Sequence, residues 1–177
     1  MKYSKYHAAI KEEMEEFAKD PKVIFLGQQT ASEDFYNTLK DVPMNKRYEM
    51  PVAEEMQMGI SIGLALQGFI PISIYQRIDF LPRACDQLVN HLNLIKELSR
   101  NKFNPKVIIR TTIGSRHPLD TGLQHSKDLT RGFIELLDMP VLKVTNTDQV
   151  KDAYKIARES KNSILIIEQQ DLYKEKE

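Results

Sequence analysis

The chain has 177 residues, 41% of them hydrophobic, enough for one domain with a real core and too few for two ordinary domains. Its 25 basic residues balance 25 acidic ones, so the charge gives no reason to expect nucleic acid, whose recognition leans on clustered Lys and Arg. The single cysteine, Cys85, excludes an internal disulfide framework and a cysteine-rich zinc site and fits a reducing cytoplasm. No pair of histidines has metal-ligand spacing, and the apolar runs are too short and interrupted to cross a membrane. The N-terminus runs directly into a charged helix, so no signal peptide is expected.

In chain order, Tyr3 to Lys19 carries Ala9, Ile10, Met14, Phe17 and Ala18 at helical spacing and predicts an amphipathic helix, ended by Asp20-Pro21. Val23 to Gly27 reads as a buried strand, and Gln28 to Met50 as mostly loop. Ala53 to Gln67 predicts a helix with small residues on one side, followed by a strand over Ile70 to Tyr75. Leu81 to Arg100 predicts one long helix with Pro82 in its first turn. A strand over Val107 to Arg110 leads into a polar loop, Thr111 to Lys127, then a short helix over Leu129 to Leu137. The remainder reads as a strand (Val141 to Val144), a helix (Thr147 to Ser160, Thr147 as N-cap) and a strand (Ile164 to Ile167). Only Lys174 to Glu177 reads as a charged, solvated tail, leaving residues 1–173 as the domain.

Strands alternating with helices imply an α/β domain: one mainly parallel sheet of about five to six strands with helices on both faces. The near-continuous apolar strands agree, because such strands are covered on both sides. Ligands of these sheets sit beyond the carboxyl ends of the strands. Those ends are Gln28-Gln29, Gln76-Arg77, the Thr111 to Lys127 loop, Thr145-Asn146 and Glu168, and the expected ligand edge is Gln28, Gln76, Arg77 and the long loop.

Two cofactor signatures are missing. There is no Gly-x-x-x-x-Gly-Lys phosphate loop and no Gly-x-Gly-x-x-Gly after the first strand. Gly59, Gly63 and Gly68 lie within or at the end of a helix, where close packing on a neighbouring element is the simpler reading.

What the chain does carry is an ordered set of segments. Met50 to Gly68 (MPVAEEMQMGISIGLALQG) opens a small-residue helix with Pro-x-x-Glu. Ser73 to Leu92 (SIYQRIDFLPRACDQLVNHL) joins a strand, an aromatic loop and an Asp-Gln-x-x-Asn helix. IIR is followed by Gly122 to Ser126 (GLQHS), and the closing segments are DMPVLKVTNTDQVKDAYKIA and SILIIEQQDLYK. Together with the opening VIFLGQQTA, the set resembles the pyrimidine-binding domain of transketolase-like thiamine-diphosphate enzymes. It is most similar to the N-terminal domain of the beta subunit of 2-oxo-acid dehydrogenases.

That resemblance implies a fold, a cofactor and site residues. Thiamine diphosphate carries the hard chemistry itself. Its aminopyrimidine takes the thiazolium proton in the imino form, which a carboxyl group against the distant ring nitrogen favours. The family's glutamate for this task maps to Glu54, and Glu55, about a quarter turn round the helix, is the natural control. Phe80 matches the aromatic residue that stacks on the pyrimidine, and His125 matches the active-site histidine. Gln28, Val52 and Gln76 complete the implied cofactor contacts. Gln28 stands where relatives often carry Glu, and an amide cannot relay a proton. Arg77 stands where relatives often have an apolar or small residue, and Arg116 with His117 extends the loop before His125. Arg77 and Arg116 read either as contacts to a substrate anion or as surface arginines. Without the resemblance, Glu54 reads as a first-turn glutamate stabilised by the helix dipole, Phe80 as a core aromatic and His125 as a solvated loop histidine.

The family holds the cofactor's diphosphate through a divalent cation on a second domain, marked by Gly-Asp-Gly and a later Asn. This sequence contains no such motif. A complete site is therefore expected to need a partner chain carrying the diphosphate domain and Mg2+, in a hetero-oligomer such as a dimer of heterodimers. The third domain that follows in the beta subunits is also missing, which favours a split transketolase-like or decarboxylase-like enzyme over a dehydrogenase component. The substrate would be a small 2-oxo acid or ketose. A non-catalytic regulatory or scaffold subunit is the competing reading, and the presence of Glu54, Phe80 and His125 argues against it.

Overall fold

The apolar runs of the sequence become the middle of one parallel sheet. In the computed structural model, which describes residues 2–116, 120 and 122–175, six strands lie in the order β2-β1-β3-β4-β6-β5. They are β1 (Val23–Gly27), β2 (Arg47–Glu49), β3 (Ile70–Tyr75), β4 (Ile108–Ile113), β5 (Val141–Lys143) and β6 (Ile164–Gln169). Every pairing is parallel, and β1, β3, β4 and β6 bury nearly their full length. This is the α/β sheet expected from the sequence.

The helices divide between the faces. α1 (Lys5–Ala18) and α5 (Thr147–Glu159) pack Ile10, Met14, Phe17, Val150 and Tyr154 against Phe25, Ile72, Ile74, Ile108, Ile164 and Ile166. On the other face, α2 (Glu54–Leu66), the segment Ile78–Leu98 and α4 (Thr130–Leu136) cover Val107, Ile109, Leu165 and Ile167. Alternate residues of β6 thus serve opposite layers, which is why that strand is apolar from Ile164 to Ile167. Each buried Ile or Leu contributes about 1.5–3 kcal/mol relative to exposure.

Several details depart from the sequence reading. Residues 28–50 contain β2, held beside β1 and fixed from behind by Glu49, whose carboxylate accepts from the N–H groups of Gln29, Ala31 and Ser32 at 2.6, 2.9 and 3.1 Å. Partial burial works to raise the Glu49 pKa, and these backbone donors outweigh it, leaving it below the ordinary value. The expected long helix is broken into a 3-10 segment (Ile78–Ala84), a π segment (Asp86–Leu92) and α3 (Ile95–Leu98). Pro82 lies inside the 3-10 segment and has no N–H to continue a regular α-ladder. β4 runs on to Ile113, because Thr111 and Thr112 continue the ladder with β6. The N-cap of α5 is Asn146, whose side chain accepts from Gln149 N, so Thr147 is the first helical residue instead. Lys174 and Glu175 are exposed but tied to the N-terminus, through a bridge between Tyr3 and Lys174 and a bond from Glu175 N to Lys2 O. Glu168, read from sequence as the polar carboxyl end of the last strand, is fully buried and faces Arg110.

Arg110 and Glu168 form the polar centre of the fold. The guanidinium meets the carboxylate through Nε at 2.7 Å and Nη2 at 3.0 Å, and Nη1 donates to Thr38 Oγ1 at 2.9 Å. The hydroxyls of Tyr154 and Tyr173 donate to the same carboxylate, and the Arg110 guanidinium lies over the Phe35 ring. One bidentate pair therefore joins β4, β6, α5, the C-terminal segment and the loop after β1.

His7 gives the fold a pH dependence. Its ring is buried, stacked on Tyr3, and bonded through Nε2 to Tyr36 O at 2.8 Å. Burial holds its pKa below the ordinary value, against the pull of the Tyr36 carbonyl. The unfolded chain then binds that proton more readily than the folded one. The stabilisation is fully present above the unfolded value, about 6.5, and is lost as pH falls toward the folded value. Thermal unfolding followed between pH 7.5 and 5 should show a shallower acid decline in His7→Gln than in the parent; parallel curves would remove His7 from the account.

Candidate active site

The carboxyl ends of β1, β3 and β4 meet at one edge, and α2 begins beside them. Gly27 ends β1 where a Cβ would stand 2.3 Å from Ile74 O, so only glycine allows the ends of β1 and β3 this close. α2 is pinned over the sheet by polar pegs. Gln57 Nε2 donates to Ile74 O at 2.9 Å and Ser73 Oγ at 3.1 Å, and Ser61 Oγ meets Ser73 Oγ at 3.0 Å. Gln57 lies one turn after Glu54 on the same helix face, so these bonds also fix where Glu54 points.

Glu54 is 3% exposed in the first turn of α2, where the helix N-terminus favours negative charge. Its Oε2 accepts from Arg83 Nε at 2.9 Å, and Gln28 Nε2 stands 3.5 Å from its Oε1. Tyr75 Oη donates to its backbone carbonyl at 3.3 Å. Glu55 is exposed. Glu54 borders a cavity of about 860 Å³ with Val52, Met56, Gly59, Ile60, Arg83 and Gln87.

The sequence-derived residues fall into three groups. Glu54, Val52 and Gln28 gather at or beside this cavity. Phe80 and His125 form a second group, their rings edge to face with centroids 5.5 Å apart, and Arg77 joins them through Gly114. A Cβ on Gly114 would stand 1.7 Å from His125 O and 3.1 Å from Arg77 Cδ, so glycine is what lets the His125 loop lie against the sheet edge. Gln76 stands apart, its amide donating to Gln29 Oε1 at 2.7 Å and to Tyr36 Oη at 3.3 Å. Arg116 is exposed, with its backbone N–H donating to Asp171, and His117 lies outside the described residues. Cys85 is half-buried against the α2 side of the core.

Sequence reading missed Arg83 and Gln57. Gln57 was recoverable from its i+3 spacing to Glu54; Arg83 reaches Glu54 only through the broken helix, which no periodicity announces.

The outer face of α2 is apolar and open. Val52, Met56 and Ile60 are 73%, 45% and 40% exposed at spacings of four residues. Gly59 meets only the Gln87 side chain at 3.6 Å, and a Cβ on Gly63 or Gly68 would meet no described heavy atom within 4 Å. Gly59 thus packs on the Gln87 side chain, whereas the close packing expected for Gly63 and Gly68 is not made among the described residues.

Comparison with known proteins places this edge in context. The family described as "Transketolase, pyrimidine binding domain" matches residues 3–176. Among curated relatives, the chain is 28% identical over 176 residues to the pyruvate dehydrogenase E1 component subunit beta of Cyanidium caldarium, covering 97% of this chain and 52% of that one. It is 24% identical over 174 residues to the 2-oxoisovalerate dehydrogenase subunit beta of Bacillus subtilis (strain 168), covering 94% and 51%. The chain thus spans about half the length of the curated relatives it matches. A solved structure described as "Split gene transketolase, inactive beta4 tetramer" has the same fold, with TM-score 0.71, 20% identity and coverage of 99% of this chain and 53% of that one. Transketolase from Campylobacter jejuni matches with TM-score 0.73 and 15% identity, over 92% of this chain and 25% of its own.

Proposed function

The chain belongs to the transketolase pyrimidine-binding domain family, and on that premise we propose that it is the pyrimidine-binding half of a split thiamine-diphosphate enzyme acting on a carbon–carbon bond next to a carbonyl. The observation that carries this is Glu54: a nearly buried carboxyl group in a first helical turn, bordering an open cavity. Bound at this edge, thiamine diphosphate would supply a nucleophilic carbon for addition to a carbonyl. The residues present fit its pyrimidine end. Glu54 can hold or return a proton at a ring nitrogen, Gln28 steadies the carboxyl group with its amide, and Val52 offers an apolar wall. Phe80 offers a half-exposed ring for stacking, and His125 lies beside it with its imidazole edge to face. Arg83 holds Oε2 of Glu54, which leaves Oε1, with only the long contact to Gln28, to meet a ring nitrogen.

The diphosphate end and its Mg2+ would be held by a partner chain, in a dimer of heterodimers. Support comes from the sequence, which has no Gly-Asp-Gly motif, and from α2, whose open apolar stripe and bare glycines suit a second surface. A relative of the same fold known as an inactive β4 tetramer agrees with a lone chain that assembles but does not turn over. Substrates would be small 2-oxo acids or ketoses. With one half-buried cysteine, the chain suits a reducing cytoplasm.

Calorimetry tests the split. Thiamine diphosphate with Mg2+ should bind tightly only when a partner bearing the Gly-Asp-Gly motif is present. Tight, Mg2+-dependent binding by this chain alone would refute the shared site.

A further inference from the structure

The turn after β1 holds a backbone shape that its sequence does not favour. Gln29 takes φ 59°, in the left-handed region, although it is not a glycine. Such a residue persists only where its surroundings over-determine it. Here the Gln29 N–H donates to Glu49 Oε1 at 2.6 Å, its carbonyl accepts from Phe35 N at 2.7 Å, and its side-chain oxygen accepts from Gln76 Nε2 at 2.7 Å. Glu49 also takes the N–H groups of Ala31 and Ser32 on Oε2, at 2.9 and 3.1 Å. N–H groups gathered by a left-handed turn form a concavity for an anion, and the anion in this one is the chain's own carboxylate. Two positions earlier on β2, Arg47 grips the same loop, donating through Nη1 to the Asp34 carboxylate and, at 3.4 Å, to Thr30 O. The short polar strand β2 thus works as a clasp on the turn, with Arg47 and Glu49 as its two fingers.

Gln28 is the residue that this turn delivers to the site. Its Nε2 stands 3.5 Å from Glu54 Oε1, the outer limit of a hydrogen bond, so a small shift of the turn makes or breaks the contact. Glu49 does not line the cavity beside Glu54 and can act on it only through the turn. We infer that Glu49 is a positioning residue for the pyrimidine site: by holding the turn after β1 it keeps Gln28 against the Glu54 carboxyl group. This role rests on the thiamine-diphosphate reading and deepens it, because Oε1 is the oxygen left for a ring nitrogen while Arg83 holds Oε2. An amide cannot replace the Glu49 carboxylate. With its oxygen toward Gln29 its NH2 group confronts the donors of Ala31 and Ser32, and turned over it confronts Gln29. Glu49 is exposed at the sheet edge and belongs to neither apolar layer, so the fold should survive the change.

The test is a pair of substitutions read by NMR on the full chain. The Gln28 side-chain NH2 resonances, assigned by their loss in Gln28→Met, should shift on Glu54→Gln in the parent, because the two groups touch. In Glu49→Gln that response should be lost. An undiminished response in Glu49→Gln overturns the positioning role, and so does the absence of any response in the parent. Glu49→Asp keeps the charge one methylene short of the turn and should respond between the two; it carries the same comparison where Glu49→Gln does not fold. In the reconstituted complex, Glu49→Gln should slow deuterium exchange at the thiazolium carbon about three- to tenfold, the worth of one hydrogen bond, with cofactor affinity unchanged. Exchange at the parental rate, or a loss confined to cofactor affinity, would refute the role. A parent complex that binds no cofactor would refute the enzyme reading instead, and the NMR comparison would still decide whether Glu49 positions Gln28.

Discussion

Replacing Arg110 by methionine should destabilise the fold by about 3–5 kcal/mol, the range for removing one partner of a buried ion pair. Methionine approximates the length of the lost side chain, so packing is largely kept and the electrostatic loss dominates. The change leaves the Glu168 carboxylate buried with only the hydroxyls of Tyr154 and Tyr173 to satisfy it, and frees Thr38 and the Phe35 ring, in the loop after β1, from their contact with Arg110. For a chain of this size, such a loss lowers Tm by roughly 6–20 °C. Urea and thermal unfolding followed by circular dichroism would measure it. Glu168→Gln should cost a similar amount, because it leaves the Arg110 guanidinium buried without a counter-charge and turns an amide NH2 toward one of its two donors. A loss under about 1 kcal/mol for Arg110→Met would mean that the apolar layers alone hold β4 and β6 together, and that the network adds little.

That network also marks the limit of what pattern reveals. Arg110 and Glu168 sit at the ends of apolar runs, where charge suggests exposure at a ligand edge, yet each is fully buried because the other meets it in the neighbouring strand. Single-residue chemistry cannot announce a partner 58 positions away. Strands with all-apolar runs were legible because burial on both faces leaves no room for polar residues. β2 was not, since Arg47, Tyr48 and Glu49 are polar and partly exposed and owe their extended form to pairing with β1. Nor was the preceding turn, where Asp34, Phe35, Tyr36 and Asn37 take positive φ values of 54°, 39°, 56° and 61° without a glycine among them. The broken helix after β3 failed for a similar reason: Leu81, Leu88 and Leu92 keep helical spacing although the backbone changes from 3-10 to π between them.

The candidate site was legible residue by residue but not as a constellation. The resemblance located Glu54, Phe80 and His125, and the structure adds the groups that hold them: Gln57 and Ser73 beneath α2, Arg83 on the Glu54 carboxylate and Gly114 under the His125 loop. Gln76 illustrates the reverse. It lies at the expected edge, but its amide is engaged by Gln29 and Tyr36 and braces the loop after β1.

Glu54→Gln tests the central claim most directly. The substitution keeps the size of the side chain and an acceptor oxygen for Arg83, and Gln28 can turn its amide to accept from the new NH2 group, so folding and partner assembly should survive. It removes the carboxyl group's ability to give and take a proton at the pyrimidine. Positioned acid–base groups contribute typically about a hundred- to ten-thousand-fold, and a loss of that order is expected. Glu55→Gln is the control, because its side chain is exposed one residue further round α2. The measurement is deuterium exchange at the thiazolium carbon of thiamine diphosphate in the reconstituted complex, with cofactor occupancy verified in each variant. The account predicts exchange slowed by at least about a hundredfold in Glu54→Gln and unchanged in Glu55→Gln. Parental exchange in Glu54→Gln with the cofactor bound would contradict it.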